Sequence, residues 1–225
     1  ENFLPIAERL VRDFDTAIYD LRATSERRSG HVSMAAVPSV ATNLLPEIIK
    51  IFSTEFPGIN LHLDDDSSRG VQHRVERNEV DFGIGSMWKP NKVLEFTPLF
   101  SDKLELICHR DHALAAQTGS IGWEQLDEVT FLDTGITKTL RARQDLGDSK
   151  FDFPNITTLV AMLSSNLGVS VLPSLAVPKS TTDLVSRPLV PLESRNIYLI
   201  TRKGWTLSPA AEAMMDTIIR ETPQQ

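Results

Sequence analysis

Four short turns carry the residues of this chain best suited to gripping a small polar molecule: Pro38-Ser39-Val40-Ala41-Thr42, Ser67-Ser68, Asp133-Thr134-Gly135-Ile136-Thr137 and Pro154-Asn155-Ile156-Thr157-Thr158. Each stands where an apolar run gives way to a helical pattern, so each starts a helix. A helix start leaves backbone N–H groups without intrahelical partners and carries a partial positive charge, which suits an anion. The candidate contacts are Ser39, Val40, Ala41, Thr42, Ser67, Ser68 and Ser86 in the first half, and Thr134, Gly135, Asn155, Ile156 and Thr157 in the second. Competing with this is plain capping, because Ser, Thr and Asn are the preferred N-cap residues and a cap stabilises by about 1 kcal/mol with no ligand at all. Lys138 and Arg141 lie a turn or less into the helix that follows the Thr134 turn, where they either meet a carboxylate or form a solvated helix face.

Catalytic patterns fail. Ser86-Met87-Trp88-Lys89 matches a Ser-x-x-Lys frame, but the companion motifs Ser-Asp-Asn and Lys-Thr-Gly are absent. Ser39 lacks the Gly-x-Ser-x-Gly frame of a nucleophile elbow, and no phosphate-cradling Gly-rich loop exists. His109 and His112, beside Cys108, fall in a strand or turn rather than on one helix face, so no metal site is expected. Cys108 is the one cysteine, and its place in Leu-Glu-Leu-Ile-Cys-His marks it as a buried apolar residue rather than a redox centre. Hence no catalytic residue, metal or cofactor is assigned.

The elements that must position these turns alternate strand and helix. Apolar or small residues at Phe3, Ala7, Leu10, Phe14, Ala17 and Leu21 follow the four-three spacing of a coiled-coil seam, so residues 1–29 are predicted as one helix, ending at Ser29-Gly30. A lone helix of this length is marginal in water, and its stripe must pack on the same helix of a second chain or on the body of the protein. Strands are expected at 31–37, 59–65 and 80–86, with helices from Pro38, interrupted at Pro46, and from Ser67 to Arg77. After an extended stretch at 94–100, a second alternation follows through 104–109, a short helix at 123–126, a helix from about Thr137, the runs 156–165 and 168–173, and strands at 183–189 and 196–202. A last helix buries Ala211, Met214, Met215 and Ile218. The pattern predicts an α/β fold of two Rossmann-like lobes with parallel sheets, a ligand cleft between them, and a long helix in front. The expected domains are 1–29, then 30–103 with 204–225, then 104–203.

With 225 residues, 41% of them hydrophobic, the chain can build a sizeable core. No apolar run approaches a membrane span and the first residues carry charges too early for a signal peptide, so a cytoplasmic protein without membrane contact is expected. A net charge of −7 makes the surface as a whole repel phosphate backbones.

The runs Gly30-to-Ser68, Val75-to-Gly85, Pro98-to-Ala115 and Asn155-to-Val177, in that order and spacing, resemble the effector-binding domain of LysR-type transcriptional regulators over about 190 residues. The resemblance implies a bacterial ligand sensor with a periplasmic-binding-protein-like cleft. It implies that residues 1–29 are the linker helix that pairs two chains, and that DNA is met only through an N-terminal winged helix-turn-helix outside these residues. It also implies a homodimer or homotetramer whose promoter binding a small co-inducer alters. Asn78 and Asn166 stand where the family favours Gly, and Asn tolerates the same left-handed backbone. The alternative is a solute-binding protein of a transport system.

Overall fold

A computed structural model describes residues 29–144, 146–177 and 181–222, together with Val11. The helix predicted over 1–29, and with it Phe3, Ala7, Leu10, Phe14, Ala17 and Leu21, lies outside the described residues. The chain divides into two compact units, one taking in residues up to 100 and from 197 onward, the other residues 101–196.

In the first unit, β1 (Gly30–Ala36), β2 (Ile59–Asp65) and β3 (Phe82–Gly85) form a parallel sheet in the order β2-β1-β3. Register pairs Ala36 with Asp65 on one side and with Ile84 on the other, so all three carboxyl ends finish at one edge. The predicted helix after β1 is two helices, α1 (Pro38–Asn43) and α2 (Leu45–Glu55), because Pro46 cannot donate into a continuing helix and the chain restarts at Leu45. α3 (Ser68–Glu76) follows β2 and turns its buried Val71 and Val75 to the sheet. The last helix, α6 (Pro209–Glu221), packs on β1 and α2 through Ala210, Ala211, Ala213, Met214 and Ile218, while Met215 is only half-buried. Close packing there is a matter of small residues, since a Cβ on Gly30 would stand 3.0 Å from the Ala210 Cβ.

The parallel expectation holds only in part. The segments predicted separately as 94–100 and 104–109 are one 16-residue strand, β4 (Leu94–His109), and those at 183–189 and 196–202 are one 19-residue strand, β9 (Leu184–Arg202). β9 joins β3 antiparallel, Gly83 opposite Ile200, which makes the sheet mixed. Both long strands run through the unit boundary, and a chain that leaves and returns once must bring its two passes in opposite directions.

The second unit holds the later part of β4, paired antiparallel with β8 (Val169–Pro173), and β5 (Ile121–Gly122), paired parallel with β9. A separate parallel pair, β6 (Leu132–Asp133) with β7 (Phe151–Asp152), leads into α4 (Gly135–Arg143) and α5 (Ile156–Ser164). Alternation along β4 splits the core between two faces. Leu104, Leu106 and Cys108 join Trp123, Leu126 and Phe131, whereas Ile107 joins Leu132, Leu159 and Leu163 on the other side. Cys108 is fully buried, as expected, and burial pushes its thiol up from the ordinary range against a smaller pull from Arg187. No described helix is long and apolar enough to cross a membrane.

Candidate functional site

The helix starts of the first unit gather on the carboxyl edge of its parallel strands. Val37 N–H donates to Ile84 O at 3.0 Å and Asp66 N–H to Ala36 O at 3.1 Å, so the chain after β1, β2 and β3 is knitted together at that edge. Ser39 is buried at the start of α1, and Ser67 caps α3 by accepting the Gly70 N–H at 3.2 Å. The Ser68 Oγ would lie 3.9 Å from a Cβ on Gly85, the residue before Ser86. The Ser86 Oγ is buried and has no partner among the described residues. Buried hydroxyls are nearly always hydrogen-bonded, so an orphan at a strand end is a candidate contact for a ligand or an ordered water.

Not every predicted contact at this edge is open. The Val40 side chain is in the core, and the Val40 and Ala41 N–H groups both donate to Val37 O, at 2.9 and 3.0 Å. Thr42 is exposed and donates to Pro38 O at 2.8 Å. With six residues, α1 contributes side chains more than a helix dipole. The turn between β2 and α3 is stiffened by Arg74, which holds Asp64 at 3.0 Å and Asp66 at 3.2 Å.

The second unit repeats the arrangement on the β6–β7 pair, where Phe153 N–H donates to Asp133 O at 2.8 Å. Thr134 is the N-cap of α4, which begins two residues ahead of the start expected near Thr137, and Gly135 beside it is exposed, with open space where a Cβ would stand. The turn is organised by Thr137, whose buried hydroxyl accepts the Thr134 N–H at 2.7 Å and lies 2.9 Å from Asp133 Oδ1. Asn155 caps α5, its Oδ1 accepting from Thr157 N at 2.9 Å and Thr158 N at 3.2 Å. Ile156 packs against the core and Thr157 is exposed. Lys138 donates to Asp152, which raises its ammonium above the usual range, so a ligand carboxylate there competes with Asp152. Arg141 is not the solvated residue the helix pattern suggested. Its side chain is 6% exposed, its guanidinium lies 4.5 Å over the Phe131 ring and it donates to Gly147 O.

One organising residue escaped the sequence. Gln72, on the buried face of α3, donates to Lys89 O at 2.7 Å and accepts from Trp88 N and Lys89 N at 3.2 and 3.3 Å, fixing the loop after Ser86. A glutamine amid polar neighbours looks solvated, and no local pattern separates it from one. Among the described residues no group of three or more His, Cys, Asp or Glu side chains is arranged to hold a metal.

Two α/β units, each presenting helix starts at the carboxyl edge of parallel strands, define a ligand-binding class of fold rather than a particular ligand. The family model of the LysR substrate binding domain matches residues 25–223, and the chain belongs to that family. It is similar to the HTH-type transcriptional regulator YbhD of Escherichia coli, with 29% identity over 97% of this chain and 72% of that protein. It is also 26% identical to the dual regulator OxyR of Escherichia coli, over 86% of this chain and 67% of OxyR. Among solved structures, the Synechocystis CcmR regulatory domain in complex with 2-PG matches with a TM-score of 0.76 at 20% identity, covering 85% of this chain and 97% of that one. The effector binding domain of QuiR in complex with shikimate matches at 0.75 and 19%, over 86% and 97%. These relatives are regulators, which leaves the transport alternative without support.

Proposed function

We propose that this chain is the ligand-sensing part of a LysR-type regulator and that its ligand is a small anionic metabolite, recognised without catalysis by the strand-end turns of its units. The contacts are Ser39, Thr42, Ser67, Ser68 and Ser86 in the first unit and Thr134, Gly135, Asn155 and Thr157 in the second, with Val40, Ala41 and Ile156 shaping the turns. The observation that carries this is the repeated placement of helix starts on a parallel carboxyl edge, with the orphan Ser86 hydroxyl buried at one of them. Structural neighbours in complex with shikimate and with 2-PG support a small-molecule ligand. The regulator is a cytoplasmic homodimer or homotetramer, and DNA is contacted through a helix-turn-helix domain. Binding switches the regulator only if the ligand favours one of its two arrangements.

A thermal-shift panel of small organic acids tests the proposal. A ligand at about a hundred times its Kd adds roughly 2.7 kcal/mol, enough to move the melting temperature visibly. Any acid that does so should bind about tenfold more weakly to Ser39→Ala and Thr134→Ala, and equally well to Cys108→Ser. A panel without a single shift, or hits indifferent to both hydroxyl deletions, refutes the assignment.

A further inference from the structure

Three exposed large apolar side chains come from one loop of the first unit: Met87 at 40% exposure, Trp88 at 41% and Val93 at 44%. A fourth, Trp205 at 53%, belongs to the turn after β9. The two segments meet, since Lys203 N–H donates to Val93 O at 2.9 Å. Met87, Pro90, Asn91, Phe96 and Lys203 also line one open depression of about 380 Å³, with Glu95 on its wall. The loop is held in shape by the three Gln72 hydrogen bonds, so its indole is presented and not merely loose.

Cations surround this apolar surface. The Arg69 guanidinium lies 5.1 Å and the Lys89 Nζ 4.4 Å from the centre of the Trp88 ring, and Arg202 lies 4.9 Å from that of Trp205. Among the described residues, neither these three nor Lys92 and Lys203 have a carboxylate partner. Elsewhere Arg74, Lys138, Arg143, Arg195 and Arg220 each do, whereas the other cations without such a partner, such as Lys50, Lys103 and Lys150, lie singly. In a chain of net charge −7, five cations without a carboxylate partner belong to the segments that carry two of its three tryptophans and to the helix beside them. Exposed Trp and Met framed by Arg and Lys have the composition of a binding hot spot with a polar rim.

We infer that this surface docks an acidic segment of another protein, which lays apolar side chains on Trp88 and Met87 and offers carboxylates to Arg69, Lys89 and Lys203. Duplex DNA fits less well, because Glu95 lines the depression and the chain as a whole repels a dense polyanion.

Intrinsic fluorescence reads the contact, since Trp88 and Trp205 are exposed whereas Trp123 is 3% exposed. The probes are an amphipathic peptide of about 20 residues built from Glu and Leu, its counterpart with Lys for Glu, and duplex DNA of about 20 base pairs. The Glu peptide should bind in the micromolar range with a blue shift, about tenfold or more weakly after Lys89→Glu with Lys203→Glu or after Trp88→Ala, and more weakly as salt rises. Circular dichroism of these surface variants checks that they fold. No binding of the Glu peptide at about millimolar concentration overturns the inference. So do equal binding of the Lys peptide, tighter binding of DNA lost in the same variants, or self-association that Trp88→Ala abolishes in sedimentation.

Discussion

Asp102 shows how single side chains hold the second unit together. Its carboxylate is almost fully buried yet every acceptor direction is used: Arg195 donates at 2.7 and 3.2 Å, Ser174 Oγ at 2.9 Å and Leu175 N at 3.2 Å. The pair joins β4 to β9 and both to the turn after β8. Burial pulls the Arg195 guanidinium below its ordinary range while Asp102 opposes that shift. Removing one partner leaves a buried charge without compensation, so Arg195→Leu should cost about 3–5 kcal/mol in urea denaturation. Arg195→Leu combined with Asp102→Leu should recover much of that loss; a double variant as unstable as the sum of the singles would show that packing, not the ion pair, is at stake. His112 gives a pH prediction. Its Nδ1 accepts the Leu114 N–H at 3.2 Å as the cap of a short helical turn, and burial lowers its pKa below the ordinary value of 6.5. A group with a depressed folded pKa stabilises the fold above its unfolded pKa and loses that contribution as pH falls through the folded one. Stability should therefore fall as pH drops below the ordinary value of 6.5, and His112→Asn, which keeps a capping acceptor, should flatten that part of the profile.

At the scale of elements, what was legible followed from local chemistry. Asn78 and Asn166 take φ values of 59° each, the left-handed backbone anticipated where the family favours Gly. Asn166→Ala should cost about 1–2 kcal/mol and Asn166→Gly close to nothing, measured by denaturant midpoint; equal losses would mean that the amide side chain, not the backbone, matters at that position. The restart at Pro46, the Ser67 cap and the strand at 59–65 were legible for the same reason, because each is decided within a few residues. The fusion of segments into β4 and β9 was not. The polar Ser101-Asp102-Lys103 and the stretch 190–195, with Pro191, Glu193 and Arg195, read locally as breaks, and only pairing with distant strands keeps the backbone extended through them. The antiparallel entry of β9 beside β3 is likewise set by topology, which hydropathy along one segment does not carry.

The candidate site divides in the same way at the scale of the molecule. The sequence located the hydroxyl-bearing turns, but it could not show which donors the fold already spends: the Val40 and Ala41 N–H groups go to Val37 O, and the Asn155 oxygen goes to its own helix. What remains for a ligand is a smaller set in each unit, and each set is tested by itself. Hydrogen–deuterium exchange reads the two units separately whatever their unfolding cooperativity. With an organic acid identified by thermal shift and present at about a hundred times its Kd, amides whose opening requires ligand release should exchange up to about a hundredfold more slowly. That slowing is expected in peptides covering 37–43 and 67–72 and equally in those covering 134–140 and 155–160, with α6 responding less. Ser39→Ala should diminish the effect in the peptides covering 37–43 and 67–72, because weaker binding withdraws the ligand from every group it touches. Protection confined to one unit would mean that the ligand is held by that unit alone, and that the repeated helix starts in the other are caps and nothing more.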